Sequence, residues 1–463
     1  MRKATFPGGV HPPPSKLTAD SPTVALPLPP RLVVPVAQNL GAPGKPAVAK
    51  GERVNRGQTI ATPDGFVSAW LHAPTSGTVT GIERVVDAAS GRQFDAIAIE
   101  SDGLDEWADG CDQPRDWRAI KPEEIRKAVA EAGIVGMGGA TFPTHVKLTP
   151  PPGKTIDTII INGAECEPYL TCDYRLMLER PADIATGLEI CLAATGAKRG
   201  IVAIEDNKPE AVRVMTEAVR SVSGAAVQVL ETKYPQGAEK QLILACLGRE
   251  VPTGGLPSDA GAIVQNVGTA AAIAEALAHR RPMTERIVTV SGDAAARPGN
   301  FRCRIGTPVR ALFEKAGVGA DFEALVFGGP LMGKAQFTTE LFVKKGTSGV
   351  LVFRRAAAYD NGPCIRCGAC VRHCPSYLNP SRLSILGESF LDGNLDAIDA
   401  AMGIGLMDCI LCGTCAYVCP ARRRIIHLVE MLRGERRKTL ERKREKQREQ
   451  QAHLKREADK VKS

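Results

Sequence analysis

The sequence predicts a multidomain α/β protein that ends in a separate, cysteine-bearing helical domain, and three observations lead there. Short β-branched runs broken by glycine and proline fill residues 31–118. Helical and strand-like patterns alternate through residues 119–284, as in a mostly parallel sheet covered by helices. Two cysteine runs of identical spacing lie within residues 355–432. At 463 residues, with 44% hydrophobic and 24% charged side chains, the chain has material for several buried cores.

Residues 1–30 form an arm rich in proline and glycine. Phe6-Pro7-Gly8-Gly9-Val10-His11-Pro12-Pro13-Pro14 is followed by Leu26-Pro27-Leu28-Pro29-Pro30. Such a composition suits a segment that wraps over another surface or stays disordered, and not one that folds alone. Residues 31–118 come next as short strands, with runs at 48–60 and 72–79 that resemble the two halves of a lipoyl- or biotinyl-type barrel-sandwich. Those domains display a modifiable lysine between the halves. Here the turn is Thr62-Pro63-Asp64-Gly65-Phe66-Val67, without lysine, so a structural role is expected.

In residues 119–284, a helix is predicted over 122–132, with Pro122 at its first position and Glu123 and Glu124 in its first turn. Residues 156–161 and 200–204 are β-branched runs suited to buried strands, and a helix over 209–221 follows the second. A glycine-rich loop, Gly133-Ile134-Val135-Gly136-Met137-Gly138-Gly139-Ala140-Thr141-Phe142, leads into a predicted helix with Pro143 in its first turn and Lys147 beyond. Bare glycine backbone can approach phosphate oxygens, a helix N-terminus favours anions, and Lys147 adds a point charge. The glycines at 136, 138 and 139 do not follow G-x-G-x-x-G, and the loop by itself is equally readable as a simple turn. Asn162-Gly163-Ala164-Glu165-Cys166-Glu167-Pro168 follows a strand, offering amide and carboxylate groups where α/β sheets bind ligands. Tyr234-Pro235-Gln236-Gly237-Ala238-Glu239 and Gln265-Asn266-Val267-Gly268-Thr269 come later. Residues 285–340 turn strand-rich around 287–292 and 325–330, with one helix near 306–313.

The C-terminal runs, Cys364-x2-Cys367-x2-Cys370-x3-Cys374-Pro375 and Cys409-x2-Cys412-x2-Cys415-x3-Cys419-Pro420, have the spacing that holds [4Fe–4S] clusters in thiolates. C-x2-C pairs also serve zinc, but two complete runs, each closed by Cys-Pro, favour clusters. In two-cluster proteins the fourth cysteine crosses over. Cys364, Cys367, Cys370 and Cys419 would hold one cluster, and Cys409, Cys412, Cys415 and Cys374 the other. The 34 residues between the runs exceed a short hairpin link, and helices are predicted to open at Asn379-Pro380 and near Asn394. Clusters pass single electrons whereas nicotinamides carry hydride, so a flavin converter is expected upstream.

The remaining six cysteines, Cys111, Cys166, Cys172, Cys191, Cys246 and Cys303, are scattered, which suits a reducing compartment. The formal charge is +8, of which the tail 433–463 carries +7, with thirteen basic against six acidic residues. The near-neutral remainder argues against nucleic acid as a partner. The tail reads either as a solvated helix or as a segment drawn to anionic lipid or an acidic partner. Residues 1–9 lack an apolar core of a secretory signal, and no apolar run approaches the roughly 20 residues of a membrane span. The expectation is a cytoplasmic protein with peripheral membrane contact at most.

The glycine-rich loop and the motifs at 162–168, 234–239 and 265–269, in this order, resemble the flavin- and NADH-binding subunit of respiratory complex I over about residues 120–340. Residues 285–340 resemble its small β-grasp module, SLBB. The resemblance implies FMN held by Gly136, Gly138, Lys147, Asn162, Glu165, Tyr234, Gly237, Glu239 and Asn266. It also implies an NADH side on which Phe142 stacks against a ring and Glu167 meets a ribose or amide. Met137 stands where that family has arginine, Thr141 where it has glycine, and Ala164 and Ala238 where it has acids.

The whole order, from the opening at residues 6–16 through the barrel-sandwich, flavoprotein-like domain, SLBB module and two ferredoxin runs, is similar to the C component of Rnf/Rsx electron-transport complexes over residues 1–432. That similarity implies an oxidoreductase component docked on the other subunits of a membrane complex at the cytoplasmic face of the bacterial inner membrane. Such complexes couple electron flow between ferredoxin and NAD(H) to ion movement. It implies FMN, two [4Fe–4S] clusters and NAD(H) as substrate. The A component of the sodium-pumping quinone reductase shares the front end but lacks the cysteine runs. Corrin reductases share the flavin, SLBB and cluster modules but not this opening. A wiring component without flavin chemistry of its own is the other alternative.

Overall fold

A computed structural model of the chain describes residues 4–87, 90–360 and 362–462, with side chains except at 444, 448 and 452–462. Residues 1–3 of the arm and 463 of the tail lie outside the described residues. The chain divides into two compact units. One comprises residues up to Phe6 together with His11–Ala356, the other Pro7–Val10 and the chain from Ala357 onward.

The first unit is layered around three sheet systems. Its centre is a four-stranded parallel sheet in the order Ala225–Leu230, Arg199–Glu205, Thr158–Asn162, Ala262–Asn266. Strands buried on both faces read as continuous β-branched runs, which is why Thr158–Asn162 was visible in the sequence. The helices Pro181–Thr195 and Val267–His279 pack closely over this sheet. Gly187 makes that possible, because a Cβ there would stand 2.0 Å from the Ala270 carbonyl oxygen. The predicted first helix is present as Pro122–Glu131, and the second as Pro209–Ala218 extended by a 3-10 turn, Val219–Ser221.

The barrel-sandwich contains one sheet ordered Arg31–Pro35, Arg92–Ser101, Gly77–Asp87, Arg53–Val54 and a second ordered Lys45–Pro46, Thr59–Thr62, Leu71–His72. The lysine-free turn lies between the last two strands and leaves Phe66 exposed. The core of this domain also takes in Val135 and Met137 of the glycine-rich loop. Met137 therefore fills an apolar socket, and its hydrocarbon character has a packing reason.

The strand-rich region is broader than residues 285–340. Its six-stranded sheet runs Val24–Ala25, Gly299–Arg304, Glu285–Ser291, Gly349–Phe353, Ala324–Phe327, Lys334–Gln336. Gly349–Phe353 is an interior strand beyond the expected boundary, and the arm supplies an edge strand through Val24 opposite Phe301. A two-residue strand leaves almost no periodicity to read, so the arm's place in the sheet was not visible. The expected helix is Val309–Ala316.

The second unit is helical, with Pro380–Leu391 capped by Asn379, Ala397–Gly403, and a long helix Ile425–Lys462. Leu383, Leu386, Ala401, Leu406, Val429 and Leu432 pack around the inner cysteines. Within this unit the Gly9 amide donates to the His373 carbonyl at 2.9 Å. Gly8, at φ 71, lies where a Cβ would come within 2.8 Å of the Cys374 carbonyl oxygen. Among the described residues no helix is long and apolar enough to cross a membrane.

Replacing Gly187 by Ala should force the two helices apart and destabilise the first unit by about 1–3 kcal/mol. The expected readout is a lower apparent melting temperature in thermal unfolding. A Gly81→Ala variant, whose Cβ meets nothing within 4 Å, should leave that melting temperature within experimental spread.

Candidate functional site

Three strands of the parallel sheet end at one edge, and their loops carry the motifs singled out in the sequence. Asn162 and Asn266 are register partners on adjacent strands, so their amides stand side by side at the C-terminal edge. The Asn162 Nδ2 donates to the Gly237 carbonyl at 2.8 Å, and its Oδ1 accepts the Ala164 amide at 3.1 Å. Asn266 caps the helix Val267–His279 by accepting the Gly268 amide at 2.8 Å, and its Nδ2 donates to Asp173 at 2.6 Å. The glycine-rich loop reaches the same edge: a Cβ on Gly138 would lie 3.3 Å from the Asn266 Cβ. Gly136 donates to the Phe142 carbonyl at 2.9 Å, while Thr141 takes a left-handed φ of 50 where a glycine was expected from the family pattern.

The helix after this loop differs from expectation. It spans only Thr144–Lys147, with Pro143 at its N-cap instead of inside its first turn. The prolines at 150 and 151 stop further extension. The loop's capacity to take an anion therefore rests on its glycine backbone and on Lys147, not on a helix dipole. The Lys147 ammonium donates to Glu239 at 2.7 Å and to the Val264 carbonyl at 3.1 Å.

The carboxylates split into two roles. Glu165, at φ 45, accepts the amides of Asp173 at 2.7 Å and Tyr174 at 3.2 Å, closing the start of the helix Cys172–Glu179. Burial, with Glu165 beside it, pushes Asp173 up to about 6. Glu167 accepts the amides of Leu331 at 3.0 Å and Met332 at 2.7 Å, with the Tyr234 hydroxyl at 3.4 Å. Burial raises its pKa above the usual carboxylate range, against the pull of those donors. Its oxygens face the strand-rich module, whereas Phe142 is half-buried beside Gly136. The edge thus gathers Gly138 with Asn266, Asn162 with Gly237, Lys147 with Glu239, and Tyr234 with Glu167.

Gln236 and Gln265 lie in these same motifs and are buried, with both amide atoms of each lacking a hydrogen-bond partner among the described residues. Buried amides without partners mark a place built for something more than protein. Together with a glycine cradle, two asparagines and one lysine, they fit a polar, phosphate-bearing flavin.

Several supporting residues escaped the sequence reading. Thr269 Oγ1 accepts the Met137 amide at 2.9 Å, and Arg286 donates to the Met137 carbonyl at 3.1 Å. Lys345 donates to the Gly133 carbonyl at 2.5 Å and the Trp70 carbonyl at 2.8 Å. Lys208 donates to the Ala164 carbonyl at 2.6 Å. Each acts through backbone atoms of a residue distant in sequence, and single lysines or arginines carry no local pattern that announces such a contact. For Thr269 alone there was a signal, since it sits inside the 265–269 motif.

In the second unit the cysteines gather in two crossed sets. Cys364, Cys367, Cys370 and Cys419 line one cavity together with Ile365, Arg423 and Ser384. Cys415 feels the charges of Cys412, Cys409 and Cys374 after the larger effect of burial, and its pKa is raised well above that of a free thiol. Burial likewise pushes Cys412 up to about 11, with Cys409 and Cys374 adding to it. Thiols gathered four to a site are the kind of donor set that iron–sulfur clusters use.

Four family models match the chain. Residues 4–104 match the RnfC barrel sandwich hybrid domain, and residues 129–275 the Nuo51 FMN-binding domain. Residues 287–335 match the SLBB domain and residues 361–425 the 4Fe-4S dicluster domain. Among characterised relatives, the chain is 45% identical over 448 residues to the C component of the proton-translocating ferredoxin:NAD(+) oxidoreductase complex of Clostridium ljungdahlii, covering 96% of each chain. It is 43% identical over 388 residues to the Na(+)-translocating counterpart of Acetobacterium woodii, covering 83% of this chain and 87% of that one. It is also 43% identical over 383 residues to the C component of the ion-translocating oxidoreductase complex of Rhodobacter capsulatus, covering 81% and 74%.

Two outcomes are expected. If the thiol sets cross, Cys364→Ser and Cys419→Ser should leave the same residual cluster signal in electron paramagnetic resonance of the reduced protein. Cys374→Ser and Cys409→Ser should leave the other; signals that pair by run would refute the crossing. The second concerns Lys345, which burial pushes down from 10.5 to about 7. Across that window the unfolded chain holds a proton that the folded chain has released, so this residue makes stability rise with pH. Thermal melts of wild type and Lys345→Met should therefore diverge in favour of wild type between pH 7 and 10.

Proposed function

The chain belongs to the RnfC family, the C components of ion-translocating ferredoxin:NAD(+) oxidoreductase complexes, and from that premise we propose how its residues divide the work. It is an oxidoreductase component that carries FMN and [4Fe–4S] clusters, and its partners are the other subunits of the complex. The readings as a soluble corrin reductase or as a wiring component without flavin are not favoured. Bound FMN supplies the conversion between hydride transfer and single-electron transfer.

The edge formed by Gly136, Gly138, Asn162, Glu165, Tyr234, Gly237, Glu239 and Asn266 is the flavin site in this reading, with Lys147 toward the phosphate. The observation that carries it is the set of unpartnered, buried amides of Gln236 and Gln265 within motifs that converge on one sheet edge. Lys147 would exchange Glu239 for phosphate oxygens, gaining a charge-assisted contact. Phe142 would offer its ring to the nicotinamide nucleotide, and the Glu167 carboxyl, now held by two amides, would border that face. Cys364, Cys367, Cys370 and Cys419 would ligate one cluster and Cys409, Cys412, Cys415 and Cys374 the other. A position on the cytoplasmic side of the membrane fits this chemistry, since NAD(H) and ferredoxin are soluble carriers there. Ferredoxin itself and the transported ion belong to the complex as a whole.

Anaerobically purified chain should contain FMN together with iron and acid-labile sulfide in the content of two [4Fe–4S] clusters, about 8 of each per chain by cluster stoichiometry. NADH should bleach both flavin and cluster absorbance. Lys147→Ala should weaken FMN about tenfold or more, the loss expected of a hydrogen bond to a charged group. A flavin-free protein whose clusters ignore NADH would overturn the assignment.

A further inference from the structure

The opening segment, singled out in the sequence for its order of residues, ends on Lys16, and this lysine has a place that no motif of the sheet edge explains. Its ammonium donates to three backbone carbonyls, those of Glu165 at 2.8 Å, Glu167 at 2.9 Å and Leu170 at 2.6 Å. An ammonium has three donors, so this one is saturated. The carbonyls belong to a single loop in which Glu165 and Tyr169 both adopt left-handed backbone, at φ 45 and 68. Such conformations are unfavourable for non-glycine residues by about 1–3 kcal/mol each and persist only where surrounding contacts impose them. Three carbonyl dipoles aimed at one point repel one another unless a cation sits between them.

The arm is anchored on both sides of Lys16 by contacts that do not involve the ammonium. The Tyr169 amide donates to the Pro14 carbonyl at 3.0 Å, Asn300 donates to the Thr18 carbonyl at 3.1 Å, and the Thr18 and Thr171 hydroxyls are hydrogen-bonded. Further along, the Thr23 amide donates to Glu179 at 2.9 Å and Val24–Ala25 joins the six-stranded sheet. Lys16 is therefore delivered to the loop by a backbone that other contacts also fix, on one side at Tyr169 of the loop itself and on the other at Asn300 and Thr171. The loop in turn presents Glu165 to the helix Cys172–Glu179, Cys166 to the Gly237 amide at 3.3 Å, and Glu167 to the Leu331 and Met332 amides.

We propose that Lys16 is a positioning residue of the flavin site, holding the 162–170 loop in the conformation that receives FMN, so that the N-terminal arm is part of the cofactor-binding element. This rests on the reading of the sheet edge as the flavin site.

The test uses the full chain, with clusters in place and flavin removed, and measures FMN binding by fluorescence quenching for wild type, Lys16→Met, Lys147→Ala and Leu312→Ala. Lys16→Met should raise the FMN dissociation constant at least tenfold and change the visible circular dichroism of bound flavin. Leu312→Ala, in the core of the strand-rich module, should lower the melting temperature of the flavin-free chain while leaving that constant within twofold. Should Lys16→Met not fold, Lys16→Gln, which keeps two donors, should show a smaller loss in the same direction. Wild-type affinity in the Lys16 variant, with loss in Lys147→Ala, would overturn the proposal and leave the site standing. Wild-type affinity in both would remove the site reading as well.

Discussion

Backbone carbonyls turned inward onto ammonium groups set the geometry of the sheet edge. Lys16 takes three of them, and Lys208 takes the carbonyl of Ala164 while pairing with the buried Glu205 at 3.2 Å. A buried charge is expensive unless it is paired and fully hydrogen-bonded; Lys208 has an ion-pair partner in Glu205, and Lys16 is hydrogen-bonded by its three carbonyls. With the carbonyls of 164, 165, 167 and 170 committed inward, the amides and side chains of the same loop are left to face their neighbours. Asn162, Cys166 and Glu167 then reach Gly237, its amide, and the 331–332 amides without further adjustment. The loop is thus ordered from beneath by side chains remote in sequence.

What could be read beforehand follows from how local each signal is. The parallel sheet was legible because strands such as Thr158–Asn162 are buried on both faces and carry an unbroken apolar run, here Ile159 to Ile161. The cysteine runs were legible because cluster ligation fixes their spacing. The motifs at 136–147, 162–168, 234–239 and 265–269 were identifiable as a set, and the fold does bring them to one edge. The arm's strand at Val24–Ala25 and the interior strand Gly349–Phe353 were not, since one is two residues long and the other lies beyond the recognisable module. Lys16, Lys208 and Lys345 were invisible for a different reason. Each binds carbonyl oxygens, which every residue possesses, so nothing at the partner positions marks the contact.

The helical unit separates its charges along the sequence. No acidic residue occurs between 362 and 387 or between 409 and 429, while each stretch has three arginines. The acids between them, from Glu388 to Asp408, lie on the intervening helices and the turn that joins them. Thiolate-ligated clusters accumulate negative charge, and cluster potential responds to nearby charge and hydrogen bonding. An acid-free lining complements that charge. Arg423 lines the cavity of the first thiol set, with its charge offset by an ion pair to Glu388 at 2.5 Å.

The crossed placement of the cysteines has a consequence for how the protein is made. Cys419 stands with Cys364, Cys367 and Cys370, so three of the four thiols of that set leave the ribosome long before the fourth exists. The other set waits in the opposite sense, with Cys374 made early and its companions late. With the crossed ligation proposed above, neither half of this unit completes a centre on its own, and iron delivered before residue 419 has emerged would meet incomplete sites. Cluster insertion would then be tied to the completion of the domain, and a chain truncated between the two runs would carry thiols but no finished centre.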